Sequence, residues 1–395
     1  VELEWAERWA LRADGSAAYA ELDPREPIDE KLAAELGKVA DAFAEEWVWF
    51  DADAPLETAI ERARFASYGY TVREANLRSA KLRGAMRREG DAYTFSSLDA
   101  AGRDVAALIA RHWLQTERHV TCATPTGLHR LAYAEWGDPR NPEVLLCVHA
   151  LTRTGRDFDR LAAALSDRYR VVCPDMPGRG ASDRLAQPAE YQIPTYVGDV
   201  VTLIARLDVE RVDWVGTSMG ALIGMAFASL EGNPVRRLVL NEAGPLVTAA
   251  ALDRISTYLG KAPLFPDFAT VLAYVRSVSA PFGPHTDEEW AFLARNVSRR
   301  RPDGQWELAY DPAIAVPFNA KLPHEDVNLW PLYDRIACPT LVIRGAESDL
   351  LLPETVEEMG RRGPRARAVE LPGIGHAPTL LHEDQIAIVR DFLLA

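Results

Sequence analysis

The chain reads as an α/β protein: a mostly parallel sheet flanked by helices, with a helical cap inserted late and a mainly helical segment in front. Three observations carry that reading. From about residue 118 short apolar runs alternate with amphipathic ones, the rhythm of a sheet covered by helices on both faces. Inside that rhythm, residues 211–224 (RVDWVGTSMGALIG) pass from a β-branched apolar run through Gly216-Thr217-Ser218-Met219-Gly220 into small residues. That is strand, sharp turn, helix, with Ser218 at the bend. The alternation is then broken once, over residues 244–336, a stretch too long for a loop and containing helical pieces of its own.

Taken in order, residues 28–50 (IDEKLAAELGKVADAFAEEWVWF) place Leu32, Leu36, Val39, Phe43 and Trp47 at helical spacing with charge opposite. A second helix is expected after Pro55, a third over 71–88 and a fourth over 98–113. These make a mainly helical domain over 1–116. Its first half is acidic, and its second half carries Arg73, Arg78, Arg83, Arg87 and Arg88, which read as a solvated face beside an acidic neighbour. Trp5, Trp9, Trp47 and Trp49 read as core or docking residues. The second domain, 117–395, opens with two strands joined at Pro125-Thr126-Gly127. Strands are expected over 143–149 (EVLLCVH), 169–174, 235–241 (VRRLVLN), 339–344 (PTLVIR) and 367–371, and helices over 157–168 and 196–207. The cap spans about 245–335, with helices over 251–259, 268–278 and 287–299, and leaves the sheet where ligands bind in such folds. Its Leu246, Leu264, Phe265, Phe268, Tyr274, Phe282, Trp290, Phe318 and Trp330 divide between pocket lining and cap packing, most of them packing.

The totals exclude several classes of function. The formal net charge of −14 disfavours a nucleic-acid or anionic-membrane partner, which would select a basic face. Cys122, Cys147, Cys173 and Cys338 are far apart and sit mostly in apolar runs, the pattern of buried thiols and not of a disulfide framework or metal site. No apolar run approaches the roughly 18 residues needed to cross a membrane, and the start is acidic, so a cytoplasmic protein is expected.

A serine hydroxyl needs a base and a group that orients the base. His376 stands in LPGIGHAPTL, a Gly-rich loop after the last strand, where it reaches the carboxyl edge of the sheet. His285 and His382 have no comparable placement, and His149, ending a strand, reads as a structural hydrogen-bonding post. The orienting carboxylate should also end a strand. Asp349 follows PTLVIRGAES and gives the order Ser218, Asp349, His376; Glu242, after VRRLVLN, is the rival. Asp349 is favoured. An oxyanion formed by attack needs two donors: the Met219 backbone N–H, opening the helix, and an N–H of the loop after EVLLCVH, assigned to Leu151.

Together these features resemble the α/β-hydrolase superfamily over residues 118–395. They comprise GTSMG, His149-Ala150-Leu151 at the place of the family's His-Gly loop, the turn from Asp175 to Ser182 (DMPGRGAS), GAESD and GIGH. Ala150 departs from the usual glycine. The serine excludes the branches whose nucleophile is an aspartate. DMPGRGASD, WVGTSMGALIGMA, VSAPFGPH and YDPAIAVPF are similar to bacterial carboxylesterase-like members, including hydrolases of 3-hydroxybutyrate oligomers. The resemblance implies a cofactor-free and metal-free serine hydrolase acting on a small carboxylic ester, of short or medium acyl chain or a hydroxyalkanoate oligomer. Thioester or C–C bond hydrolysis by the same triad is the alternative within enzymes; a ligand-binding scaffold with a vestigial hydrolase domain is the alternative outside them. The N-terminal helices would serve a homo-oligomer interface, a cap extension or partner docking.

Overall fold

A computed structural model describes residues 86–89, 92–95 and 116–395 of the chain. The expected helices before residue 71 and over 98–113 lie outside the described residues, as do the tryptophans of the first segment. The helix expected over 71–88 is corrected at its end, because Met86–Glu89 (β1) is a strand paired antiparallel with Ala92–Phe95 (β2), Glu89 opposite Ala92. The pairing runs through Arg87 opposite Thr94 and Arg88 opposite Tyr93, so cross-strand backbone bonds replace the last helical turn. This hairpin belongs, with residues 287–292, to one of two compact units into which the chain divides; the other comprises residues 114–286 and 293–395 and carries the eight-stranded sheet.

That second unit is built on eight strands. Thr116–Thr124 (β3) and Gly127–Trp136 (β4) form the expected hairpin, followed by Val144–Val148 (β5) and, after Asp159–Leu165 (α1), Arg170–Pro174 (β6). Ile193–Leu207 (α2) leads to Val212–Thr217 (β7), Met219–Ala228 (α3) and Val235–Asn241 (β8). After the insertion, Thr340–Gly345 (β9), Pro353–Met359 (α4), Arg367–Leu371 (β10) and Glu383–Leu394 (α5) complete the unit. The spatial order is β10-β9-β8-β7-β5-β6-β4-β3, with β4 alone running against the rest.

The β5 sequence VLLCV is buried at every position, which is why it reads as a continuous apolar run. Its Val144, Leu146 and Val148 join Trp214, Leu238 and Val342 and the α2 and α3 side chains in one core. Leu145 and Cys147 point the other way, to Val215, Val239 and Ile343 and to Leu161 and Ile386 of α1 and α5. From β5 the chain steps to β6 on one side and returns to β7 on the other, so the carboxyl ends of β5 and β7 border the crevice such sheets use for ligands. Cys122, Cys147 and Cys173 are buried free thiols, and Cys338 is half-buried and free.

The insertion contains helices at Ala249–Ser256, Phe268–Val278, Asp287–Asn296, Ala315–Asn319 and Trp330–Tyr333. The helix expected to reach residue 299 stops earlier, because Ser298–Arg300 pairs antiparallel with Trp306–Leu308, which in turn pairs with Leu264–Phe265. Cross-strand pairing, with Arg299 against Glu307 at 2.7 Å, replaces the last helical turn. The insertion is tied to the loop after β6 by backbone bonds: Asp311 N–H donates to Gly178 O at 2.7 Å and Gly180 N–H to Ala309 O at 2.9 Å. Among the described residues no helix is long and apolar enough to cross a membrane.

Candidate active site

The bend at Ser218 is forced by close packing. Ser218 has φ 51° and ψ −112°, a conformation that costs an L-residue about 1–3 kcal/mol and persists only where the surroundings impose it. Two glycines impose it. A Cβ on Gly216 would lie 2.2 Å from Gly220 O, and one on Gly220 would lie 1.9 Å from Val148 O, so β7, α3 and β5 approach only because neither side chain exists. Ser218 N–H donates to Asn241 O at 2.8 Å, locking the bend to the adjacent strand. The hydroxyl is left at the start of α3, where the first backbone N–H groups have no intrahelical acceptor.

Ser218 and His376 line one cavity of about 1050 Å³. His376 comes from the loop after β10, and its Nδ1 lies 3.0 Å from Glu242 Oε2. Glu242 follows β8, the neighbour of the serine's strand, and is fully buried at φ 59°. Its carboxylate is saturated with donors: Gly345 N–H to Oε1 at 2.6 Å, the Ser348 hydroxyl to Oε2 at 2.7 Å, and the imidazole. Ser348 Oγ in turn accepts from Leu350 and Leu351 N–H at 3.2 and 3.1 Å. A buried carboxylate is tolerable only when hydrogen-bonded in this way.

Asp349, expected beside His376, is elsewhere. Its side chain is 56% exposed and forms an ion pair with Arg254 at 2.6 Å. Of the two strand-end carboxylates weighed from the sequence, the structure brings Glu242 to the histidine and leaves Asp349 at the surface. The physical reason lies in the loop after β9, which turns Ser348 inward to Glu242 and Asp349 outward. Ser348 and Asn241 were missed from sequence. Asn241 Nδ2 bridges Thr217 Oγ1 at 3.0 Å and Pro378 O at 2.9 Å, joining the bend to the His376 loop. The signal for Ser348 is its place in GAESD, immediately before Asp349 at the end of a strand.

His149 is the structural post expected of it. It is fully buried, accepts from Met176 N–H at Nε2 (2.9 Å), and therefore donates from Nδ1 to Ala150 O (2.7 Å). Burial pushes its pKa down to about 3, so the ring is neutral and the tautomer fixed. Ala150 O also accepts from Arg153 N–H at 3.1 Å. Because C=O and N–H point oppositely across a trans peptide, anchoring Ala150 O directs the Leu151 N–H the other way. Leu151 lines the cavity with Met219.

The rest of the wall is largely apolar. Tyr274, Phe282 and Phe318 of the insertion face the cavity, while Phe265 and Phe268 pack with Val271 and Val275 in a core of the insertion itself. Arg254, Lys321 and Arg335 also contribute. Residues able to ligate a metal converge elsewhere among the described residues, at buried Cys122, His129 and Asp199, none of which lines the cavity. There His129 Nε2 is 3.1 Å from Asp199 Oδ1, and burial, then Asp199, pushes the Cys122 thiol up to about 12, so it stays protonated.

Known proteins share this architecture. The family described as alpha/beta hydrolase fold matches residues 143–383. A 3-hydroxybutyrate-oligomer hydrolase of Cupriavidus necator is 53% identical over 69% of this chain and 96% of its own length. A 2-(acetamidomethylene)succinate hydrolase of Mesorhizobium japonicum is 28% identical over 59% of this chain and 81% of its own. A crystal structure of an alpha/beta hydrolase from Novosphingobium aromaticivorans is 36% identical, covers 71% of this chain and 98% of its own, and superposes with a TM-score of 0.64.

Proposed function

The chain belongs to the α/β-hydrolase family, and from that premise we propose that it hydrolyses carboxylic esters, of the 3-hydroxyalkanoate-oligomer class, through Ser218, His376 and Glu242. The observation that carries this is the 3.0 Å contact between His376 Nδ1 and the buried Glu242 carboxylate, on a cavity wall shared with Ser218. With Nδ1–H donating to Glu242, Nε2 is the unprotonated nitrogen and faces its task as general base.

In the first half-reaction Ser218 Oγ attacks the ester carbonyl carbon as its proton passes to His376 Nε2. Glu242 steadies the imidazolium. The carbonyl oxygen takes the negative charge between the Met219 and Leu151 N–H groups, each such donor contributing about 3 kcal/mol to the transition state. Collapse breaks the bond to the alkoxide, which leaves with the proton from Nε2. Water then repeats the sequence on the acyl-enzyme and frees the acid and Ser218. The 53% identical relative supports an oligoester of a hydroxy acid as substrate. The cavity volume and apolar wall suit an acyl chain longer than acetyl.

The test pairs a fluorophosphonate probe with turnover of 3-hydroxybutyrate dimer and trimer. The wild-type protein is expected to label at Ser218 and release monomer. Ser218→Ala should neither label nor turn over while keeping its circular dichroism, with kcat lower by about 10⁴-fold or more. Normal turnover in that variant would remove Ser218 from the reaction.

A further inference from the structure

One buried charge has no counter-charge. Arg179 is 1% exposed, yet among the described residues no carboxylate lies within ion-pair distance of it. Its Nε donates to Leu151 O at 2.9 Å, and Nη1 to Pro177 O at 2.7 Å and the Tyr196 hydroxyl at 2.8 Å. Nη2 is left with Met219 Sδ at 3.5 Å, a weak acceptor for a guanidinium. The Tyr196 and Tyr191 rings stand 5.3 and 5.8 Å from the guanidinium carbon. With only carbonyls, a hydroxyl and a thioether as its partners among the described residues, this buried cation has no carboxylate beside it to cancel its field at short range.

The chain is bent to place it there. Gly178 (φ 78°) and Gly180 (φ 52°) bracket the arginine, and the insertion holds both of their backbones. The guanidinium touches the two residues whose N–H groups the proposed reaction needs, Leu151 through its carbonyl and Met219 through its sulfur. His149 fixes the peptide before Leu151, and Arg179 fixes the one after it.

We infer that Arg179 is a positioning residue of the oxyanion site: it clamps the Leu151 loop to the Ser218 bend and supplies a positive field that acts when the carbonyl oxygen becomes an anion. This rests on the Ser218 reading above. A neutral ester gains little from that field and the tetrahedral intermediate gains much, so the effect falls on kcat and not on KM.

The experiment compares wild type with Arg179→Met, which removes charge and fork, and Arg179→Lys, which keeps charge and loses the Nε bond to Leu151 and the planar fork. Substrates are p-nitrophenyl acetate, which is neutral, and p-nitrophenyl hemisuccinate, which carries a carboxylate. A trifluoromethyl ketone, which gives an anionic tetrahedral adduct with serine, serves as inhibitor. Arg179→Met should lose about 100-fold in kcat on both esters and a similar factor in ketone affinity, with KM little changed. Arg179→Lys should lose about tenfold in kcat, and it decides the matter if the methionine variant does not fold. Wild-type kcat in a folded variant overturns the inference, as does a loss confined to KM of the hemisuccinate, which would make Arg179 a receptor for substrate carboxylate. A wild-type protein that neither labels with fluorophosphonate nor hydrolyses either ester refutes the Ser218 reading instead.

Discussion

Glu242 and Asp349 both follow strands of the same sheet, β8 and β9, and both are acidic residues at its carboxyl edge. Their surroundings differ in every respect that matters for orienting a histidine. Glu242 has no exposed surface and three donors on its two oxygens. Asp349 is more than half exposed, and its partner Arg254 is 40% exposed, so water screens the pair and each side chain keeps other places to go. A carboxylate fixes a tautomer only when it is itself fixed. Position at a strand end therefore nominates a residue, and the donors around it decide whether it can serve.

The comparison can be broken by substitution. Glu242→Gln should lower kcat by about 10³- to 10⁴-fold with little change in KM, because the imidazole loses the acceptor for Nδ1–H. If steady-state kinetics show a loss below tenfold while Asp349→Asn is crippled, the assignment passes to Asp349.

The next effect is on stability and sharpens the same contrast between buried and exposed groups. His149 titrates at about 3 in the folded chain and near 6.5 unfolded, so the unfolded state takes the proton first. Its contribution is complete above pH 6.5 and is lost as pH falls towards 3, by at most about 1.4 kcal/mol per unit. Urea midpoints at pH 7.5 and 5 should show this slope in wild type and a shallower one in His149→Asn; equal slopes would count against a neutral buried ring. Smaller again is Ser348→Ala, which removes one hydrogen bond from Glu242 and should cost about tenfold in kcat. An unchanged rate would mean that Gly345 N–H alone holds the carboxylate. The smallest expected effect is Asp349→Asn, within about twofold in kcat, since it breaks only a screened surface pair. Its thermal midpoint should move by no more than a degree or two.

Much of this was legible beforehand because it is local. The glycines of GTSMG announce a close approach, and the structure shows what each would strike. The limits of VRRLVLN and of 367–371 coincide with β8 and β10, and the placements of Ser218, His376, Leu151 and Met219 on one cavity follow from strand ends in a parallel sheet. The small strands of the insertion were not legible. Two or three residues long, they have no periodicity to read and exist only as cross-strand pairs. Arg179 lies within the turn from Asp175 to Ser182, where nothing local distinguishes an inward arginine from a solvated one.

The sequence by itself determined the sheet, the serine bend and the histidine loop, since alternation, glycine spacing and chain order are written in neighbouring residues. Only the tertiary structure decided which acid meets His376 and where the Arg179 charge goes. Both depend on which way a side chain turns after its strand ends, and that is settled by donors and acceptors distant in the chain: Ser348, 106 residues from Glu242, and Leu151, 28 residues from Arg179.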